Sequence, residues 1–104
     1  MNIQELMRQA QQLQQKMMKI QEEIAAKEVE ASAGGGMVRV KANGAQEIVG
    51  IEIDPAVVDP EEIGMLQDLI VAATNEALRR SKEMKEEELA KVTGGIKFPG
   101  MGMM

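Results

Sequence analysis

Hydrophobic residues recur with a strict heptad repeat in the first 26 residues. Steps of three and four residues alternate along the apolar positions Ile3, Leu6, Ala10, Leu13, Met17, Ile20 and Ile24. This spacing places apolar side chains along one stripe of an α-helix, as in helices that pair with another helix. It predicts a first helix over residues 2–26, about 36 Å long, with Asn2 as its N-cap.

Apolar and polar residues then alternate with a period of two, which indicates half-buried strands. The alternation predicts strands over residues 28–33, 37–42 and 47–53. In the second strand Val38, Val40 and Ala42 share one face. In the third strand the pattern assigns Val49, Ile51 and Ile53 to one face.

Turn residues separate the predicted strands. The triple glycine at residues 34–36 supplies a first turn, and its lack of a following Lys-Ser/Thr argues against a phosphate-binding loop. Asn43-Gly44 predicts a hairpin because both residues accept positive φ. Gly50 suggests a bulge in the third strand. Short turns between consecutive strands predict an antiparallel meander.

A second long helix follows the strands. Asp59 is the expected N-cap and Pro60 the expected first helical residue. Apolar residues at helical spacing continue to Leu89 or Val92, where the Gly94-Gly95 pair ends the pattern. The expected fold is therefore α+β, in the order α-β-β-β-α, with a three-stranded antiparallel meander flanked by two long helices.

The chain is expected to be one domain with a short tail. Residues 1–93 form the predicted domain, and the Gly- and Met-rich residues 94–104 are expected to be flexible. Phe98 is the only aromatic residue, so aliphatic side chains and ten methionines must build the core. The predicted helices are also longer than the sheet. Helical arms should therefore project from it, and a second copy would help to cover their apolar stripes.

Composition argues against catalysis. The chain has no Cys and no His, so it lacks thiolate metal ligands and the usual general base. Its paired glutamates follow one another on predicted helices, where a solvated surface is the more common role. We therefore expect no enzyme activity. The longest apolar runs are too short to span a bilayer, so we expect no membrane contact. The cytoplasm is the expected compartment.

Charge is distributed unevenly along the chain. The net charge is −5, yet the second half of the second helix is locally basic and one face of the first helix carries Lys, Arg and Gln. Such residues contact phosphates and base edges in nucleic-acid complexes. They are also ordinary solubilising residues, and the spacing alone favours that interpretation.

The sequence as a whole resembles the YbaB/EbfC family of bacterial nucleoid-associated proteins. The resemblance rests on the first helix NIQELMRQAQQLQQKMMKIQEEI, the strands VEASAGGGMVRVKANGAQEIVGIEIDP, the helix DPEEIGMLQDLIVAATNEALRRSKE and the ending TGGIKFPGMGMM. Its most specific parts are the triple glycine followed by Met37-Val38, the strand end at residues 51–54 with Pro55, and the run at residues 72–77.

This resemblance implies a cytoplasmic, nucleoid-associated homodimer shaped like tweezers, whose helical arms bind double-stranded DNA. It implies no enzyme activity, no cofactor and no small-molecule substrate. On this chain the arms would offer Arg8, Lys16, Lys19, Arg79, Arg80, Lys82 and Lys85 as DNA contacts. Phosphate contacts of this kind imply weak sequence preference. The alternative is a protein-interaction adaptor that docks partners on the Met-bearing helix faces, at Met7, Met18 and Met84.

Overall fold

The computed structural model of the protein describes residues 2–92. Its elements are α1 (Ile3–Ala26), β1 (Glu28–Ala33), β2 (Val38–Asn43), β3 (Ile48–Ile53), two 3-10 turns (Pro55–Val57 and Pro60–Glu62) and α2 (Ile63–Val92). The predicted α-β-β-β-α order is confirmed. The predicted tail and the glycines expected to end α2 lie outside the described residues.

The predicted N-cap of α1 is confirmed, whereas α2 begins later than predicted. The Asn2 side chain accepts a hydrogen bond from the Gln4 amide at 3.1 Å, so it caps α1 as expected. Asp59 accepts one from the Glu61 amide at 2.9 Å. However, Pro60 opens a 3-10 turn rather than the α-helix, which begins three residues later at Ile63.

The three strands form an antiparallel sheet in the order β1-β2-β3. Val38, Val40 and Ala42 on the central strand are fully buried beneath α2. Ala73 and Ala77 of α2 are buried in the same cluster, together with Ala31 of β1. Small alanine side chains on both layers let the helix lie close to β1 and β2, and this cluster is the core of the domain.

A register shift in β3 changes which residues face the core. Lys41 pairs with Gly50, but Ala42 pairs with Ile48, so Val49 is the extra residue of a β-bulge. Ile48, Ile51 and Ile53 therefore lie on the helix side of the sheet. The sequence predicted a bulge at Gly50, one residue from its observed position. The prediction that Val49 shares a face with Ile51 was wrong.

The β2–β3 hairpin turns where Asn43-Gly44 predicted, but for a different physical reason. The Asn43 side chain accepts hydrogen bonds from the amides of Ala45 and Glu47, at 3.0 and 3.1 Å. Positive φ occurs at Gln46, with φ 60°, and not at Gly44. Gly44 is required because a Cβ there would lie 2.0 Å from the carbonyl oxygen of Ile24. The glycine makes room for the end of α1.

We predict that Gly44→Ala destabilises the protein, because either the α1 backbone or the hairpin must move to admit the methyl group. Overpacking of this kind costs about 1–3 kcal/mol. Thermal or urea unfolding would measure the loss. Gly50→Ala is the control, since a Cβ at Gly50 meets no atom within 4 Å. Equal stabilities of the two variants would contradict this account of Gly44.

Both helices extend beyond the same end of the sheet. Leu69 of α2 lies beside Gly34 at one end of the strands. Ser81 donates a hydrogen bond to the Asn43 carbonyl at the other end, where Ile24 of α1 also packs. The last turns of α2 thus leave the sheet where α1 arrives, and the two helices run in opposite directions. The resulting shape is elongated, with extents of 73 × 24 × 16 Å.

Candidate nucleic-acid interface

The projecting part of α1 is locally basic in an acidic protein. Residues 2–21 contain three cationic side chains and one acidic one, Glu5, which gives a local charge of +2. Arg8, Lys16 and Lys19 are exposed, and none of them forms an ion pair within residues 2–92. Their spacing places them with Gln12 on the side of α1 turned away from its apolar stripe. These charges are free to meet an anionic surface.

On α2, by contrast, two of the predicted DNA contacts are engaged within the protein. Arg79 forms ion pairs with Glu76 and Glu83, and its Nε donates to Glu76 Oε2 at 3.0 Å. Arg80 Nε lies 3.2 Å from Glu76 Oε1. Its Nη1 donates to the main-chain carbonyl of Glu30 in the edge strand β1, at 2.7 Å. Arg80 therefore links α2 to the sheet.

The same ion pairs shift the pKa values of Glu76 and Arg79. The hydrogen bond from Arg79 holds the pKa of Glu76 below its ordinary value of 4.5, against a smaller opposing effect of desolvation. Glu76 in turn raises the pKa of the Arg79 guanidinium. Because the Glu76 carboxylate stays charged at neutral pH, the positive charge of Arg79 is locally compensated there.

The remaining basic residues of α2 divide into free and paired groups. Lys82 and Lys85 are exposed and form no ion pair within residues 2–92. Lys91 approaches Glu88 at 3.5 Å, and Lys27 from the end of α1 pairs with the same carboxylate at 2.9 Å. The hydrogen bond from Lys27 lowers the pKa of Glu88. Five of the seven predicted contacts are thus unpaired, and three of these five lie on α1.

The heptad stripe of α1 is covered at only one end. Ile24 is buried and Met17 and Ile20 are half-buried at the end of α1 that contacts α2. Beyond them is an uncovered stripe that we call the distal seam, formed by Ile3, Leu6, Ala10 and Leu13. The exposed fractions of Ile3, Leu6 and Leu13 are 70%, 54% and 63%. The sequence predicted that a second copy would help to cover this stripe, and in the single chain Leu13 is left exposed.

A second apolar surface was not predicted from the sequence. Because α2 packs over β1 and β2 and hardly touches β3, the helix side of β3 is open. Ile48, Ile51 and Ile53 are 37%, 45% and 38% exposed there, and we call these three side chains the β3 face. Alternation placed Ile51 and Ile53 on one face, but it could not show that α2 leaves this face uncovered. In the following turn Val58 is also exposed.

Within residues 2–92, no cluster of three or more His, Cys, Asp or Glu side chains is arranged to hold a metal ion. Neither described helix combines the length and the apolar character that crossing a bilayer needs. The shallow depression on the outer sheet face is lined by charged residues of all three strands, including Glu30, Arg39, Lys41 and Glu52. Arg39 and Glu52 pair there at 2.6 Å.

Comparison with known proteins identifies the family. A family model described as the YbaB/EbfC DNA-binding family matches residues 1–96. The chain belongs to this family. It is a family of DNA-binding, nucleoid-associated proteins and not of enzymes, as the sequence predicted.

Individual relatives of this YbaB/EbfC protein are similar over nearly their whole length. A nucleoid-associated protein of Clostridium novyi is 56% identical over 101 residues, covering 97% of this chain and 89% of the relative. One of Moorella thermoacetica is 57% identical over 99 residues, covering 95% of each. An uncharacterized Helicobacter pylori protein of known structure has the same fold. Its TM-score is 0.73 at 22% identity, over 90% of this chain and 99% of that one.

Proposed function

We propose that the protein binds double-stranded DNA mainly through phosphate groups, with the α1 arm as the principal contact surface. The observation that carries this proposal is the free charge on α1. Arg8, Lys16 and Lys19 project on one side of the arm, and none of them forms an ion pair within residues 2–92. The family's DNA-binding description supports the same partner.

The proposed role of α2 is secondary. Lys82 and Lys85 are free to contact phosphates, so they complete the basic surface. Arg79 and Arg80 stay candidates, but a phosphate would have to compete with Glu76 and Glu83 for their guanidinium groups. Contacts made to phosphates carry no base information. We therefore expect weak sequence preference.

We further propose a homodimer in which two copies bury their β3 faces against each other. The β3 face offers a row of isoleucines that α2 leaves uncovered, at the open edge of a three-stranded sheet. Open edges and exposed apolar rows are surfaces that proteins usually cover. A symmetric pairing of the two faces would leave both α1 arms projecting and would give the tweezer shape expected for the family.

The dimer would bind DNA against its own net charge. Two chains at −5 each carry about −10, so the duplex repels the dimer at long range. Attraction must act within the Debye length of about 8 Å at physiological salt, where the arm cations outweigh the distant acids. Affinity should therefore be modest. The names of the relatives support a nucleoid location, and we propose the bacterial cytoplasm as the compartment.

A salt titration tests this proposal directly. If the three free α1 cations of each chain contact phosphates, a dimer neutralises about six of them. Affinity then falls by about a thousandfold between about 50 and about 200 mM salt. Electrophoretic mobility shifts with a random-sequence duplex would measure the slope. An affinity that does not change with salt would overturn the phosphate-contact proposal.

The adaptor function is the second candidate because Met7 and Met18 are 60% and 55% exposed on α1. Exposed methionines make adaptable docking surfaces for apolar partners. Met84 is less available, since it is half-buried. Apolar docking would tolerate high salt, so the same titration separates this function from DNA binding.

A further inference from the structure

We propose that the distal seam is a second self-association surface, on which α1 arms from two different dimers pair in antiparallel orientation. The seam is an apolar stripe that the rest of residues 2–92 leaves open. Each arm pair would join two dimers and hold two segments of duplex DNA together. The bridging of DNA rests on the proposed DNA-binding function, whereas the pairing of the arms does not.

The order of the seam residues fits an antiparallel pair of identical helices. Ile3 and Ala10 occupy one of the two core positions of the heptad, and Leu6 and Leu13 occupy the other. When two antiparallel copies overlap around position 8, Ile3 meets the partner's Leu13, and Leu6 meets the partner's Ala10. Every large side chain of the distal seam is then enclosed between the two helices.

The residues that border the distal seam carry no charge along this overlap. The bordering positions of the heptad hold Asn2, Met7, Gln9 and Gln14. Two identical helices can therefore approach without like-charge repulsion, and the glutamine amides can donate and accept hydrogen bonds across the border. Lys16 also borders the stripe, but it lies beyond the end of the overlap. The uncharged border makes a second copy of the chain a suitable occupant.

The overlap ends where the cover by α2 begins. Residues 3–13 span about 15 Å of helix, and Met17 and Ile20 beyond them are half-buried. A partner whose tip reaches Leu13 therefore fills the open stripe without displacing α2. So short an overlap buries less than about 1,000 Å², which is typical of transient contacts. The pairing should thus be weak in free solution and stronger where DNA holds several dimers close together.

Paired arms would present cations on both of their outer sides. Arg8 and Lys19 lie on the side of α1 turned away from the seam, and neither forms an ion pair within residues 2–92. Because the two seams face each other, the cations of the two copies point in opposite directions. One arm pair can therefore contact the phosphates of two duplex segments at the same time.

Sedimentation without DNA tests the pairing alone. Leu6→Gln and Met18→Gln are matched variants, because each replaces an apolar side chain of α1, 54% and 55% exposed respectively, by the same neutral residue. Only Leu6 lies in the distal seam. From micromolar toward millimolar concentration, the mean mass of the unsubstituted protein and of Met18→Gln should rise above that of two chains. Leu6→Gln should not show this rise. Equal behaviour of the two variants would overturn the proposal.

Cross-linking tests the orientation of the arms. The chain has no Cys, so Ile3→Cys and Leu13→Cys each introduce a single thiol. Both would be made in the Ile51→Glu background, where the β3 face no longer pairs and each molecule carries one distal seam. In an oxidised mixture, antiparallel pairing should join unlike chains in preference to like chains. A preference for disulfides between like chains would mean parallel arms and would contradict the proposal.

A capture experiment tests the bridging. A duplex attached to beads should retain a second, labelled duplex when the unsubstituted protein or Met18→Gln is added. Leu6→Gln should retain at least about tenfold less of the labelled duplex, although it binds the attached duplex equally well. Equal retention by the two variants would overturn the bridging. Failure of every protein to bind the attached duplex would overturn DNA binding and bridging together, while the sedimentation result would still decide the pairing.

Discussion

A variant with Lys16→Glu and Lys19→Glu is expected to lose its affinity for duplex DNA by at least about tenfold at physiological salt. The substitutions reverse two of the three free cations on each α1 arm. They also turn the local charge of residues 2–21 from +2 to −2. Both side chains are exposed and unpaired, so the fold should be unaffected. Mobility-shift titration measures the affinity, and circular dichroism checks the helix content.

The matched control for this variant is Arg39→Glu with Lys41→Glu on the outer sheet face. It makes the same change in net charge, but on a surface where Glu30 and Glu52 already balance the cations. We expect a smaller loss of affinity. If the two variants weaken binding equally, overall charge and not the arm governs binding. If only the sheet variant loses binding, the sheet is the contact surface and the arm assignment fails.

Arg79 and Arg80 need a different design from the lysines. Reversal of Arg80 would place a third carboxylate near Glu76 and remove the hydrogen bond to the Glu30 carbonyl. Lost binding in such a variant could then reflect a damaged helix–sheet contact. Arg79→Gln is cleaner, and it should weaken binding less than Lys16→Gln because Glu76 and Glu83 already compensate the Arg79 charge.

Ile51→Glu is expected to convert the dimer to a monomer. Ile51 is the middle residue of the β3 face, opposite the fully buried Val40, so in a symmetric interface its side chain would be enclosed by the partner. A carboxylate enclosed there without a partner carries a desolvation cost of several kcal/mol. In the monomer the same side chain is 45% exposed and tolerates charge.

Sedimentation equilibrium at micromolar concentration distinguishes the two states. The unsubstituted protein should have about twice the 11.4 kDa chain mass, and Ile51→Glu should have the mass of one chain. Val71→Glu is a comparison on α2, at an exposed apolar position outside the β3 face. A monomeric unsubstituted protein would overturn the dimer proposal. Dissociation by Val71→Glu alone would move the interface from β3 to α2.

Local sequence patterns were sufficient to predict the elements of this fold. Helices and strands of this kind depend on residues close together in the chain. The heptad repeat, the period-two alternation and the Asp59-Pro60 pair are patterns of that local kind. The bounds of β1 match the prediction, α1 and β3 each begin one residue later than predicted, and β2 is displaced by one residue. Strong local propensity and short turns leave few alternatives for such a chain.

Features that depend on contacts between residues far apart in the chain could not be predicted from local sequence patterns. Gly44 looked like a turn residue, but the carbonyl of Ile24 decides its identity, and that contact exists only after α1 has docked. Alternation placed Val49 on the wrong face because a bulge adds a residue without a sequence signal at that position. Likewise, only the folded α2 reveals that Arg80 is held by the Glu30 carbonyl in β1.

The close contact between Gly44 and the Ile24 carbonyl holds the C-terminal end of α1 against the sheet. A small change of the helix angle at this contact therefore becomes a large displacement of the N-terminal end. The helix extends about 32 Å from Ile24 to Ile3, so a tilt of about 5° at its base displaces Ile3 by about 3 Å. That displacement approaches the rise of one base pair. The stiffness of one backbone contact would thus set how far apart the two arm tips of a dimer lie, and hence which groove spacing along a duplex they can reach together.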